Sequence, residues 1–102
     1  MKDKVLRKLF HGFIQVHILY HAGKSPVFGS WMIEELKKHG YEISAGTLYP
    51  LLHELNQKGL LEKREKIIEG RTRKYYSLTP AGKEVLEEVK DKAFELVEEL
   101  KE

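Results

Sequence analysis

Apolar residues recur at helical spacing through most of this chain and follow a strand-like pattern in one short region. From Lys4 to about His21, Leu6, Leu9, Phe10, Phe13, Ile14, Val16, Ile18, Leu19 and Tyr20 put apolar groups on more than one side of a helix. Such a helix is central to its domain or covered by a partner. Gly23 is expected to stop it. Ser25-Pro26-Val27 reads as a short extended piece, because the residue before a proline avoids helical dihedrals. A second helix is expected over Gly29–His39, with Met32, Ile33 and Leu36 inward and Gly40 ending it.

Ser44 suits the N-cap of a third helix, running from Ala45 to about Lys58. Leu48, Leu51, Leu52 and Leu55 form its buried stripe. The opposite face carries Gly46, Thr47, Pro50, His53, Glu54 and Gln57, with Tyr49 at the border and Gly59 as the terminator. Leu60–Ile67 and Arg73–Thr79 then read as two strands around a turn containing Glu69-Gly70. Thr79 caps a last helix that opens on Pro80. Along it, Leu86, Val89, Ala93, Leu96 and Leu100 step by 3, 4, 3 and 4 residues. That is a heptad seam, the pattern of a helix that packs on a second copy. Val85, Phe94 and Val97 broaden it.

The fold class is therefore mainly α with a small β-hairpin. The order of elements is that of a winged helix-turn-helix followed by a long C-terminal dimerisation helix. Residues 1–79 form the DNA-binding unit and residues 80–102 the dimerisation helix, in one compact domain together with helix one. In such modules the second helix of the pair enters the DNA major groove by its N-terminal end. This gives a reason for Pro50, which inside a helix costs about 3 kcal/mol. Gly46 and Thr47 let the backbone approach phosphates, where free first-turn amides attract anions. Pro50 either tilts the tip or is a tolerated kink, which spacing alone does not separate, and His53 and Gln57 are in reach of base edges or phosphate. Tyr49 is either a contact or core; Tyr76 is expected in the core.

Charge sharpens this picture. Residues 1–79 carry 14 basic and 8 acidic side chains, a net of +6, whereas residues 80–102 carry 4 basic and 8 acidic, a net of −4. The wing and its approach hold Lys58, Lys63, Arg64, Lys66, Arg71, Arg73 and Lys74. Of these, Arg71, beside the turn, is the leading candidate for a groove or phosphate contact, with Lys66, Arg73 and Lys74 as further phosphate contacts. Only part of this set can share one face of a hairpin.

Other chemistry finds little support. There is no cysteine, which excludes disulfides, thiolate metal sites and a cysteine nucleophile. His-Ala-Gly-Lys-Ser (21–25) ends like a phosphate loop, but Ile18 stands where the first glycine is required, so no cofactor is expected. Asp3 and Asp91 are the only aspartates, and no Ser-His-Asp arrangement follows, so an enzyme is not expected. His17 and His21 have the spacing of a metal-binding pair, yet no third ligand is evident in the sequence and no metal is assigned. No run approaches a membrane span and nothing resembles a secretory leader; a cytoplasmic location is the expectation.

The stretches SAGTLYPLLHELNQKGLLEK and GRTRKYYSLTPAGKEVL resemble the PadR-type transcriptional regulators, and the likeness runs over essentially the whole chain. It is most specific in Gly46-Thr47-Leu48-Tyr49-Pro50, in Gly59-Leu60, and in Arg73 to Thr79 followed by Gly82. Gly29-Ser30 and Gly70-Arg71-Thr72 depart from the family's usual glycine-aromatic pair and Gly-Arg-Pro. The resemblance implies a homodimeric repressor that binds double-stranded DNA and responds to small effectors, often aromatic. Phe10, Phe13, Ile14, His17, Trp31, Phe94 and Val97 are the candidate lining of an effector pocket or a dry dimer core. A winged-helix module that binds protein rather than DNA is the alternative left open.

Overall fold

The computed structural model describes residues 2–102. Four helices and one hairpin follow in the order α1 (Lys2–Lys24), α2 (Gly29–Lys38), α3 (Ala45–Gln57), β1 (Leu61–Ile68), β2 (Arg71–Leu78) and α4 (Pro80–Leu100). The core gathers Ile14, Ile18, Leu19 and Ala22 of α1, Met32 and Leu36 of α2, and Leu48, Leu52 and Leu55 of α3. Val27, Leu61 and Tyr76 close it from the sheet side. The first three helices each give the core one stripe, as their sequence periodicity requires, and Val85 and Leu86 of α4 pack half-buried against it.

The helix-turn-helix is made by α2 and α3. At its turn, Gly40 N–H donates to Lys37 O and Tyr41 N–H to Leu36 O, both at 3.0 Å, with Gly40 at φ +87°. This closure satisfies the last carbonyls of α2 and needs a left-handed residue, which glycine supplies without a Cβ clash. The end of α3 is built the same way around Gly59.

Two boundaries and one cap differ in detail from the sequence reading. Gly23 does not stop α1, which continues to Lys24. A Cβ on Gly23 would meet Leu78 Cδ2 at 2.9 Å, so this glycine serves close packing against β2. In the hairpin, Glu69 and Gly70 both take positive φ, 51° and 76°. Such a two-residue turn matches strand twist, so pairing begins at once and Arg71 and Thr72 belong to β2. Ser44 does occupy the N-cap of α3, but its side chain makes no capping bond; its hydroxyl lies 3.3 Å from that of Thr47.

Val27 exchanges two backbone hydrogen bonds with Tyr76, of 2.9 and 2.8 Å, adding a third short rung beside β2. Thr79 joins three elements. Its hydroxyl accepts from Gly82 N–H at 3.0 Å, capping α4, and donates to Gly59 O at 2.6 Å. The module spans 54 × 32 × 23 Å, with α4 packed on α1.

Candidate nucleic-acid interface

The hairpin register sorts the wing cations. Lys66 pairs with Arg73, Arg64 with Tyr75, and Ile68 with Arg71, so these residues share one face. Glu65 pairs with Lys74 and Lys63 with Tyr76, on the other. The four wing cations singled out from the sequence are thereby divided: Lys66, Arg71 and Arg73 stand together and Lys74 points away from them.

Aromatic rings brace the first face. The Arg73 guanidinium lies 4.2 Å from the centre of the Phe28 ring, and Lys66 Nζ lies 5.1 Å from that of Tyr75. Phe28 and Tyr75 pack edge to face at 5.5 Å. Each cation is thus held over a π face, which restricts it without neutralising it. Among the described residues, Lys66, Arg71 and Arg73 form no ion pair, while Arg64 is paired with Glu62 at 2.9 Å. Phe28 was not singled out from the sequence; an aromatic residue just before a helix-opening glycine was the available signal.

This face runs on into α3. Phe28 is the N-cap of α2, and the next residue, Gly29, is buried beneath Tyr49, whose hydroxyl stands where a Cβ on Gly29 would go. Tyr49, Pro50 and His53 are exposed along α3, with Ser44 and Gly46 exposed at its tip and Thr47 half-buried. The tip of α3, the Phe28–Gly29 junction and the cationic wing face form one continuous surface. Tyr76 is in the core, where burial, followed by the neighbouring Tyr49, pushes its hydroxyl pKa up.

The apolar candidates fall in several places. Phe13, His17 and Phe94 line a concavity of about 720 Å³ between α1 and α4, together with His21, His39 and Tyr41. Phe10 and Ile14 border a separate hollow between α1 and the start of α3, and Ile14 is otherwise core. Trp31 lies outside the concavity, its ring edge-on to His21 at 5.5 Å. Val97 is exposed further along α4.

Within that concavity the fold supplies what the sequence did not reveal: Glu35 of α2 and His39, its C-cap, join His17 and His21. Burial, then the imidazoles of His39 and His21, lower the pKa of His17. Burial also lowers that of His21, against the opposing pull of Glu35. For Glu35, desolvation raises the pKa, but Lys38, His21 and bonds from His39 and Lys38 outweigh it and the net shift is downward.

A helix-turn-helix, a cationic β-wing and an exposed helix tip define a winged helix-turn-helix DNA-binding protein. The comparisons with known proteins agree. Residues 18–88 match the model of the transcriptional regulator PadR-like family. The chain is 41% identical over 95 residues to the transcriptional regulator Rv3488 of Mycobacterium tuberculosis, covering 93% of this chain and 89% of that protein. The crystal structure of a PadR family transcriptional regulator from Eggerthella lenta superposes with a TM-score of 0.84 at 31% identity, covering 96% of this chain and 87% of that one. A PadR-like transcriptional regulator from Bacillus cereus gives 0.82 at 33% identity, over 91% and 92% of the two chains. The chain belongs to the PadR-like family of transcriptional regulators, a family of DNA-binding proteins and not of enzymes. Among the described residues no helix is long and apolar enough to cross a membrane.

Proposed function

We propose that the protein is a dimeric repressor that grips a near-palindromic operator. Two copies of α3 would enter successive major grooves about 34 Å apart, with each wing on the flanking backbone. The observation that carries this reading is the continuous surface from the α3 tip through Phe28 to Lys66, Arg71 and Arg73. Ser44, Gly46 and Thr47 would meet phosphate, and Tyr49, Pro50 and His53 would shape the groove-facing side. Unpaired cations suit phosphate because they keep their charge, and Lys66 and Arg73, held over aromatic rings, have less side-chain freedom left to lose.

Dimerisation has its own support. Leu9 is 58% exposed, Phe94 64% and Leu100 73%, with Val5, Phe13, Leu96 and Val97 also open along α1 and α4. A seam of this kind is apolar because a second copy covers it. The concavity beside it falls within the roughly 300–1,000 Å³ of ordinary ligand pockets, which supports release by a small effector.

The test is DNA binding measured against salt on duplexes recovered by in vitro selection. The expected outcome is a near-palindromic consensus and a steep fall of log affinity with log salt, the mark of counterion release. Arg71→Ala should weaken binding to all sequences alike, as the loss of a phosphate contact does. A flat salt dependence with a stable complex to another protein instead would favour the protein-binding alternative.

A further inference from the structure

We propose that His17, His21, Glu35 and His39 form a binding site for one divalent transition-metal ion of the zinc class, clamping α1 to the end of α2. Two pairs at i and i+4 face each other across the helix packing: His17 and His21 on α1, and Glu35 on α2 with His39 at its C-cap. On a helix this spacing puts both members on one side. One nitrogen from each of the three imidazoles lies within 4.8 Å of the others. Glu35 Oε2 is 3.3 Å from His39 Nε2 and 3.8 Å from His21 Nε2.

Zinc with Zn–N near 2.0–2.1 Å holds tetrahedral donors roughly 3.3 Å apart. The carboxylate is therefore already spaced from His39 like a second donor on the same ion, and at 3.8 Å from His21 it stands a little further out. Closing the histidines takes a further movement on the order of 1 Å, within reach of side-chain rotation.

The surroundings fit a site that is built rather than incidental. Lys38 Nζ, 3.5 Å from Glu35 Oε1, engages one carboxylate oxygen and leaves the other turned to the histidines. Tyr41 stands edge-on to His17 and Trp31 edge-on to His21, both at 5.5 Å, so that aromatic groups flank the imidazoles. Such an apolar shell limits solvent access and sets the local dielectric around the ligands. The His39 side chain is 44% exposed, which gives an ion a way in. Burial lowers the pKa of His17 and His21, which favours the neutral imidazoles that a metal needs. Three nitrogens and one oxygen suit zinc, cobalt, nickel or copper and exclude magnesium and calcium, which take oxygen shells.

An ion here would fix α1 against α2, and α2 leads through the Gly40 turn directly into α3. Metal occupancy would then set how the reading helix is held relative to the dimer seam. This coupling rests on the DNA-binding reading; the metal site does not.

Tag-free protein stripped with a chelator provides the test, titrated with Co²⁺ by its visible absorption and with Zn²⁺ by calorimetry. The expected result is one ion per chain, unaffected by millimolar Mg²⁺, with tetrahedral Co²⁺ bands. His17→Asn, His39→Asn and Glu35→Gln should each weaken binding at least tenfold, while His11→Asn should not. Thermal unfolding without metal checks that every variant folds, and Zn²⁺ should raise the midpoint of the wild type and of His11→Asn more than that of the three ligand variants. No binding, or binding undiminished in folded His39→Asn and Glu35→Gln, overturns the site. For the coupling, Zn²⁺ should change wild-type operator affinity at least fivefold and leave His39→Asn unchanged; equal affinity in both states overturns it. A chain that binds Zn²⁺ at these residues but never DNA would sink the regulator reading and leave the metal site standing.

Discussion

Gly46 and Gly82 are both in helices of this chain, yet they are glycines for different reasons. A Cβ on Gly46 would meet nothing nearer than Ser44 Oγ at 3.7 Å. No contact inside the protein calls for glycine there, and in a helix glycine costs roughly 0.5–1 kcal/mol relative to alanine. Four residues on, Pro50 has no N–H to donate to the Gly46 carbonyl, a second local cost at the same exposed tip. Both fit a surface shaped for something outside the chain. Gly46→Ala should therefore raise the thermal midpoint while lowering operator affinity, read by calorimetry and fluorescence anisotropy on one preparation. Lower stability, or unchanged affinity, would show that the glycine is not there for DNA. At Gly82 a Cβ would run into the Leu60 carbonyl oxygen. Backbone cannot turn aside as a side chain can, so Gly82→Ala should destabilise by about 1–3 kcal/mol in denaturant unfolding. Thr79→Ala should cost about 1 kcal/mol by removing the α4 cap.

The wing lets two equal charges be told apart by strand register alone. Lys66 and Lys74 are both exposed lysines, but Lys66 shares a face with Arg73 and the Phe28–Tyr75 brace, and Lys74 pairs with Glu65 on the other. Lys66→Ala should weaken DNA binding and reduce the salt slope by about 1. Lys74→Ala should leave the slope where it was; a slope equally reduced by both would contradict the division. The element order was legible because each helix carries a stripe of period near 3.6, and Gly40, Gly59 and the Thr79 cap mark three of the ends. What separated Lys66 from Lys74 was not legible, because it depends on the two-residue turn at Glu69-Gly70 that sets the register. Gly23 misled for a related reason: a glycine that stops a helix and one that admits Leu78 look alike in sequence. His17 and His21 were visible as a pair from spacing alone. His39 and Glu35 reach them only through the packing of α2 on α1, a contact that no local pattern encodes.

At the scale of the molecule, the apolar length of α4 exceeds what its own domain covers. Its buried and half-buried positions, Gly82, Val85, Leu86 and Val89, lie in the first half of the helix, and every residue from Lys90 to Leu100 is exposed. The second half holds Phe94, Leu96, Val97 and Leu100, beside an α1 that leaves Val5, Leu9 and Phe13 open. Burying side chains of this size is worth about 1.5–3 kcal/mol each, so a second copy seated along both helices would gain enough to set the oligomeric state. Phe94→Glu and Leu100→Glu place a charge in that seam and touch neither the core of the winged unit nor the wing. Each should leave a folded monomer in sedimentation and remove the concentration dependence of the thermal midpoint. Operator binding should fall far more steeply than for any single wing variant, since two linked reading heads act at an effective concentration that separate heads lack. Dimers that persist in both variants would place the interface elsewhere and remove the two-groove arrangement with it.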